Sequence, residues 1–269
     1  MKQLERIHPL IKNNFLDNTM FFTKLIIVIV ISLFLILIKF FCDLLIPKFS
    51  IIIPKFFHKL IVWLINIKII KEGQISKHAN GILFVSNHLS YLDIPILGSL
   101  LSAKFVAKDE VSRWPIFGWL ARIGNTIFIK RLRKNVFKEK DSIQKEIDDG
   151  YKVILFPEGT TSDGIRILNF KSSLLSSVEN QDYLIQPIII KYEYINGLPL
   201  NRCLKPIIAW YGDMGLKKHL LNVLRLISIT ARVRFLNPIF TKDFEDRKSM
   251  TFAIENVIFD EYSQKNNGN

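Results

Sequence analysis

Two short polar segments of the chain carry side chains that could do chemistry, and each directly follows an apolar run. The first segment contains His88 and Asp93. On a continuous helix their five-residue spacing would leave the two side chains about 140° apart, too far round to touch. A turn leading into a helix near Asp93 would instead let the carboxylate accept the Nδ1 proton of His88, leaving Nε2 free to act as a general base. The spacing therefore predicts half of a catalytic triad.

The neighbouring residues indicate where this pair lies in the fold. Residues 82–85 form a short apolar run with β-branched members, which is typical of a buried strand. Pro95 is tolerated in a first helical turn, so a helix from about Asp93 to Leu101 fits the apolar residues that follow. A surface pair or a helix cap is the alternative interpretation of an isolated histidine near an aspartate.

The second polar segment follows another predicted strand, residues 151–156. Residues 157–164 contain three hydroxyl side chains and two glycines. Gly159 would let backbone N–H groups approach a ligand closely, and Thr160 and Thr161 add further hydrogen-bonding groups. Such a loop could hold an anionic or polyhydroxy headgroup, and an ordinary turn is the alternative.

Four blocks in this order make the chain resemble the glycerolipid acyltransferase family that includes 1-acyl-sn-glycerol-3-phosphate acyltransferase. The resemblance extends from about residue 70 to about residue 240, and four blocks in register are far more specific than any one of them. The blocks are the N-H-x4-D motif at residues 87–93, a stretch similar to G-x-x-F-I-x-R at 124–131, F-P-E-G-T at 156–160, and a proline-containing strand at 186–190.

The resemblance implies direct transfer of a fatty acyl group from acyl-CoA or acyl carrier protein to the free hydroxyl of a lysolipid. The first candidate acceptor is 1-acyl-sn-glycerol-3-phosphate, giving phosphatidic acid in phospholipid biosynthesis. His88, oriented by Asp93, would remove the hydroxyl proton, so we expect neither a serine nucleophile nor a metal nor a cofactor. The implied substrate-binding residues are Lys130, Arg131, Glu158, Gly159, Thr160 and Thr161.

One position departs from the family pattern and bears on the acceptor. The third block commonly continues F-P-E-G-T-R-S, whereas this chain has Thr161 where arginine is usual. Arginine binds phosphate with a planar fork of donors, and threonine offers a single hydroxyl. This variant and residues 209–214 look similar to a bacterial branch that includes lyso-ornithine lipid acyltransferases, so lyso-ornithine lipid or another lysophospholipid is the alternative acceptor. Lys130, Arg131, Arg166 or Lys171 could supply the missing charge.

Two other function classes fit parts of the pattern. A lipid hydrolase would use the same pair to activate water or Ser90, although no oxyanion-hole turn is evident beside that serine. A non-catalytic membrane-binding protein would need neither His88 nor Asp93.

The charge of the chain favours an anionic partner. The formal net charge is +13 and the isoelectric point is near 9.7. Residues 104–134 contain eight lysines and arginines against two acids. Aromatic side chains alternate with these charges, which suits a membrane interface better than a nucleic-acid groove, and no nucleic-acid motif is present. The aromatic residues are Phe105, Trp114, Phe117, Trp119 and Phe128.

The N-terminal region predicts membrane attachment. Residues 25–38 are uncharged and apolar, but as a helix they reach only about 21 Å, short of the roughly 30 Å hydrocarbon core. With apolar flanks and snorkelling lysines the helix could just span, so spanning and half-buried arrangements both stay open. Residues 49–70 indicate an interfacial amphipathic helix, with a core helix as the alternative. We expect an uncleaved anchor and a catalytic domain on the cytoplasmic face of a bacterial inner membrane.

The remaining pattern predicts an α/β fold. We expect a single layered domain around a mixed, mostly parallel sheet of about seven strands, preceded by the membrane-associating helical segment. The predicted regions are anchoring helices at 1–70, the acyltransferase domain at 71–263 and a disordered tail at 264–269. Strands are predicted at 82–85, 105–107, 126–129, 151–156, 188–192, 207–211 and 233–236, and helices at 93–101, 135–149, 170–179, 216–228 and 247–263.

Overall fold

A computed structural model of the protein describes residues 15–78, 81–129, 136–179 and 181–263. Within these ranges nine strands form one mixed sheet in the order β1-β8-β6-β2-β5-β3-β4, with β7 and β9 paired to β6. Strands β6, β2, β5, β3 and β4 run parallel, whereas β8 is antiparallel to β6. The strands are β1 (Ile67–Glu72), β2 (Ile82–Ser86), β3 (Lys104–Lys108), β4 (Ile127–Ile129), β5 (Lys152–Leu155), β6 (Leu184–Ile195), β7 (Leu198–Pro199), β8 (Ile229–Phe235) and β9 (Ile239–Phe240).

Helices cover both faces of this sheet, which explains why its central strand β2 is buried and almost entirely apolar. In β2, Ile82 and Phe84 pack into the core on one face, and Leu83 and Val85 pack into the core on the other. Successive side chains of a strand point to opposite faces, so a strand covered on both sides is apolar at most positions. The helices are α1 (Phe15–Leu45), α2 (Pro47–Ser50), α3 (Ile53–Leu64), α4 (Asp93–Leu100), α5 (Phe117–Ile123), α6 (Val136–Asp148), α7 (Leu216–Leu224) and α8 (Arg247–Ser263).

The two helical layers use different parts of the chain. Side chains of α3, α4 and α7 join the core on one face. Side chains of α6, α8 and the 3-10 segment Ser172–Val178 form the core on the other face. The α/β class and the mostly parallel sheet are confirmed.

The N-terminal helix α1 contains the predicted anchor. Residues 21–45 are long and apolar enough to cross a membrane by length and composition, and an 18-residue window within them has a mean hydropathy of 3.2. Many of its apolar side chains are exposed, among them Phe34 and Leu37. Helix α3, which comes after the short α2, has a mixed environment, because Ile61 and Val62 pack against the core whereas Trp63 is exposed.

Several predicted boundaries differ from the structure. The stretch 49–70 is not one helix: α3 ends at Leu64, and β1 then crosses the boundary predicted at residue 70. Residues 207–211 do not form a strand. Pro206 cannot donate to a ladder, and the segment makes a 3-10 turn at Lys205–Ile207 instead. Residues 170–179 form the 3-10 segment rather than an α-helix. Three short or amphipathic strands, β1, β7 and β9, were missed, so the sheet has nine strands rather than about seven.

Candidate active site

The two polar segments meet at one edge of the sheet. Strands β2 and β5 are parallel neighbours, so their carboxyl ends lie side by side, and a polar loop follows each. We call residues 87–93 the histidine turn and residues 156–171 the glutamate loop. A hydrogen bond from Ser162 N to His88 O, 2.9 Å long, joins them directly.

Asp93 holds His88 in one orientation. The distance from His88 Nδ1 to Asp93 Oδ2 is 2.8 Å. The same carboxylate oxygen accepts the backbone N–H groups of Leu89, at 2.7 Å, and Ser90, at 3.0 Å. Asp93 is completely buried at the first residue of α4, where the helix dipole favours a negative charge. This is the strand–turn–helix arrangement that the five-residue spacing predicted.

Tyr192 is a further partner that the sequence did not reveal. Its hydroxyl donates to Asp93 Oδ1 across 2.6 Å, from the neighbouring strand β6. Burial raises the pKa of Tyr192 well above its ordinary value, with further contributions from the nearby Asp93 charge, so the hydroxyl stays protonated and donates. Ninety-nine residues separate the two side chains in sequence, and only the pairing of β2 with β6 brings them together.

The imidazole of His88 is supported by a ring as well as by a carboxylate. Phe156 stacks on it with centroids 4.0 Å apart and planes inclined by 14°. The His88 side chain keeps 16% of its surface exposed. Because Nδ1 is engaged by Asp93, Nε2 is the nitrogen left to exchange a proton with a bound hydroxyl.

Glu158 connects the two loops through their backbones. Its Oε1 accepts His88 N at 2.7 Å, and its Oε2 accepts Leu168 N at 2.8 Å. The residue is 1% exposed, and this burial raises the pKa of Glu158 to about 8, although the two backbone N–H groups act in the opposite direction. Both oxygens therefore make protein contacts in a position that the resemblance assigns to substrate binding.

The other predicted binding positions that the structure describes lie on the glutamate loop. Gly159 has a φ of 64°, the left-handed conformation that glycine adopts at little cost. Thr160 is exposed and Thr161 half-buried, both within the glutamate loop. Arg166 and Lys171 are exposed on the same loop. Lys130 and Arg131 fall outside the described residues.

Asn87 and Ser90 have structural environments. The buried Asn87 amide donates Nδ2–H to Ile190 O and accepts Ile190 N–H on Oδ1, at 3.0 and 2.9 Å, which fastens the histidine turn to β6. Ser90 is completely buried, and its Oγ accepts Leu92 N–H at 3.4 Å. A nucleophilic serine must reach its substrate, so this burial speaks against the hydrolase alternative.

A third segment packs on the histidine turn. Trp210 N donates to Leu89 O at 3.0 Å, and the Trp210 ring lies against Tyr91, with centroids 6.1 Å apart. Residues 209–214 thereby border the site. Within the described part of the chain, no group of three or more His, Cys, Asp or Glu side chains is arranged to hold a metal ion.

The chain is similar to known acyltransferases over most of its length. A family model described as Acyltransferase matches residues 67–191. The lyso-ornithine lipid O-acyltransferase of Brucella abortus is 34% identical over 214 residues, 77% of this chain and 80% of that one. The 1-acyl-sn-glycerol-3-phosphate acyltransferase of Neisseria meningitidis is 30% identical over 183 residues, 68% and 69% of the two chains.

A solved structure shares the fold. The crystal structure of the 1-acyl-sn-glycerophosphate acyltransferase PlsC from Thermotoga maritima superposes with a TM-score of 0.59 at 20% identity, covering 87% of this chain and 96% of that one.

Proposed function

The chain belongs to the acyltransferase family, and we propose that it moves a fatty acyl group from an acyl thioester to the free hydroxyl of a lysolipid, with His88 as the general base. The observation that most strongly supports this proposal is the contact between His88 and Asp93. A solvent-exposed pair would leave the imidazole free to rotate. Asp93 is instead buried and bonds Nδ1 of the ring through a carboxylate that is itself fixed by backbone N–H groups and Tyr192.

The reaction needs one proton carrier. As the acceptor hydroxyl attacks the thioester carbonyl, its proton passes to His88 Nε2, and Asp93 stabilises the imidazolium that forms. Collapse of the tetrahedral intermediate expels the thiolate, which takes the proton back from Nε2. The acceptor supplies the nucleophile, so no covalent bond to the enzyme is required.

Binding determines how often the hydroxyl reaches Nε2. In this mechanism Gly159, Thr160 and Thr161 contact the acceptor beside the histidine turn, and Lys130 or Arg131 neutralises negative charge. Glu158 holds both loops in register, so its contribution to binding is indirect. Orientation of the two reactants can lower the barrier by several kcal/mol (roughly 7–11 at most). Acyl-CoA or acyl carrier protein is the donor, and the domain works on membrane lipids from the cytoplasmic face.

The acceptor we favour is a lyso-ornithine lipid, with 1-acyl-sn-glycerol-3-phosphate as the second candidate. Thr161 replaces the arginine that would form a bidentate contact with phosphate. Relatives at 31–35% identity are named lyso-ornithine lipid O-acyltransferases, and those named 1-acyl-sn-glycerol-3-phosphate acyltransferases are 29–30% identical. Both observations support a headgroup other than a phosphate monoester.

An acceptor-dependence assay tests the reaction. Purified full-length protein would receive labelled acyl-CoA or acyl carrier protein together with a lyso-ornithine lipid, 1-acyl-sn-glycerol-3-phosphate or no acceptor. We expect diacylated product only with an acceptor, and a loss of at least about a hundredfold in His88→Ala, because general-base catalysis contributes roughly 10²–10⁴-fold.

His78→Ala is the matched control, since His78 is exposed and outside the histidine turn. Equal product from His88→Ala would eliminate the general base, and free fatty acid released without acceptor would indicate a hydrolase. For the headgroup, Thr161→Arg should raise kcat/KM for the phosphate acceptor relative to the ornithine acceptor by about tenfold, one charge-assisted contact. An unchanged ratio would remove Thr161 from the specificity argument.

A further inference from the structure

An exposed apolar loop lies at the active-site side of the catalytic domain. We call residues 113–119, which comprise the turn before α5 and the first three residues of that helix, the Trp114 loop. Four of its apolar side chains are exposed: Trp114 by 36%, Ile116 by 70%, Phe117 by 41% and Trp119 by 51%. Soluble monomeric domains rarely present so many large apolar side chains in one short segment, and such a patch marks an interaction surface.

The structure separates this loop from the rest of the aromatic and basic region recognised in the sequence. Phe105 is buried in the core, and Phe128 is half-buried on β4. Only the aromatic residues of the Trp114 loop are exposed among the five that the sequence singled out. Within the described part of this region, residues 104–129, the exposed aromatic side chains therefore all belong to the Trp114 loop.

The backbone of Ile116 has a strained conformation. Its φ is 63° and its ψ is −58°, and Phe117 N donates to Pro115 O at 2.6 Å, which closes a three-residue turn. This γ-turn with positive φ is rare and strained, and a β-branched residue fits it poorly. An exposed isoleucine recovers little of that cost from burial in the protein. The strain is consistent with selection for what the side chain contacts outside it.

The base of the loop is rigid. Gly118 is buried against the 3-10 turn at Asp109–Arg113, where an added Cβ would lie 2.4 Å from Ser112 O. Arg122 Nη2 donates to the same carbonyl at 2.6 Å. These contacts hold the backbone at the base of the loop in one position, with Ile116, Phe117 and Trp119 exposed.

The loop is also continuous with the active site. The Trp114 ring packs edge-on against Trp210, with centroids 6.0 Å apart. Trp210 in turn contacts Tyr91 and donates its backbone N–H to Leu89, both in the histidine turn. A hydrophobic surface contacted by this loop is therefore brought close to His88.

We propose that the Trp114 loop inserts into the interfacial layer of the lipid bilayer as a second membrane contact, separate from α1, and that it delivers membrane-embedded acceptors to His88. Tryptophan is suited to this layer because its ring is apolar and its N–H is polar. Arg113, which is 73% exposed and paired with Asp109, and the exposed Arg122 flank the apolar side chains. In the proposed orientation both would lie among the lipid headgroups. The inference extends the proposed function, because it concerns where the acceptor enters and not which headgroup it carries.

The test uses the full chain reconstituted in vesicles of phosphatidylethanolamine and phosphatidylglycerol. Because α1 keeps every variant on the membrane, a change in activity reports on the loop. Ile116→Asn and Trp119→Ala should each lower kcat/KM for a long-chain lysolipid in the bilayer by about tenfold. Neither variant should alter kcat/KM for a short-chain, water-soluble lysolipid.

Two controls distinguish this effect from damage to the fold. Asparagine tolerates positive φ better than isoleucine, so Ile116→Asn should leave the melting temperature unchanged or raise it. Phe252→Ala removes an aromatic side chain that is 67% exposed on α8. This variant should leave kcat/KM unchanged for both the long-chain and the short-chain lysolipid. Equal losses with both acceptors, or no loss with either, would overturn the proposal.

A second measurement does not depend on catalysis. Lipids brominated on their acyl chains should quench part of the tryptophan fluorescence, and Trp119→Phe should lower the quenched fraction. An unchanged or larger quenched fraction would contradict insertion, as would a change from dimer to monomer in Ile116→Asn, which would identify a contact between copies of the chain. If the wild-type protein acylates no acceptor, the proposed function fails, and the quenching result still decides the membrane contact.

Discussion

At the residue scale, the carboxylate of Asp93 is the centre of the site. It accepts two backbone N–H groups, the His88 ring and the Tyr192 hydroxyl, so its position is fixed from several sides. The ring of His88 is therefore also held in one orientation, because one Asp93 carboxylate oxygen bonds it and Phe156 stacks on it. Orientation of the base is the property that the surrounding residues provide.

Removing the Tyr192 hydroxyl should therefore slow the reaction without preventing substrate binding. Tyr192→Phe deletes one hydrogen bond to a buried carboxylate, and we expect kcat to fall about tenfold with KM nearly constant. Steady-state kinetics with acyl-CoA and with acyl carrier protein as acyl donors would measure kcat and KM separately. Tyr194→Phe is the matched control, because Tyr194 lies on the same strand and is 41% exposed. A lower melting temperature with unchanged kcat would show that the hydroxyl only stabilises the fold.

The raised pKa of Glu158 predicts that the stability of the folded protein depends on pH. Burial raises the pKa of Glu158 from 4.5 to about 8, so between these pH values the folded protein holds a proton that the unfolded chain has released. The free energy of unfolding should consequently fall as the pH rises from 4.5 to 8. Glu158→Gln cannot titrate, and its melting temperature should change less between pH 5 and pH 8 than that of the wild type. Parallel curves for the two proteins would contradict a protonated Glu158.

At the element scale, the site depends on how β2, β5 and β6 are ordered in the sheet. Strand β2 lies between the other two, so the histidine turn is flanked by the glutamate loop on one side and by Tyr192 on the other. The apolar run at 82–85 and the helix beginning at Asp93 were evident from pattern alone. Neighbouring strands are far apart in sequence, so their order could not be derived from periodicity.

Asn87 should be essential to this arrangement because it connects β2 to β6 where the histidine turn begins. Asn87→Asp loses the donor to Ile190 O and places a negative charge beside a buried carbonyl, which should cost about 1–3 kcal/mol or more. We expect a melting temperature lower by roughly 5–10 °C. Asn237→Asp, at an exposed position, should have almost no effect. If the two variants melt alike, the Asn87 contact contributes little to stability.

At the scale of the whole molecule, a helix long enough to cross a membrane precedes the α/β domain that carries the candidate site. Helix α1 exposes Leu33 by 61% and Leu37 by 54%. Leu33→Asp with Leu37→Asp should weaken membrane retention, since a charge near the bilayer centre costs about 2.5–3.5 kcal/mol by insertion scales. Recovery of the protein in the supernatant after alkaline carbonate extraction would measure the loss.

The matched control replaces two exposed apolar residues of α8, Phe252→Asp with Phe259→Asp. This variant should remain with the membrane. Equal extraction of both double variants would mean that α1 is not the principal anchor.

The sequence by itself determined the local setting of the candidate chemistry. The types and spacing of His88 and Asp93 predicted an oriented general base, and the apolar runs before the two polar loops predicted strands. The acyltransferase activity was implied by the resemblance of four blocks, and the hydropathy of the N-terminal region predicted a membrane anchor. These are local properties, because a strand, a turn and a helix N-terminus are each specified by a few adjacent residues. The acceptor, in contrast, is a matter of binding and stays a proposal.

Only the tertiary structure decided which distant groups complete the site. The donation from Tyr192 to Asp93, the link from Glu158 to His88 and Leu168, and the packing of Trp210 on the histidine turn all join residues on separate elements. The exposure of the Trp114 loop belongs to the same class, because an aromatic side chain looks alike in sequence whether it packs in a core or contacts a bilayer. Burial and long-range pairing are properties of the folded chain, and the pattern of neighbouring residues does not specify them.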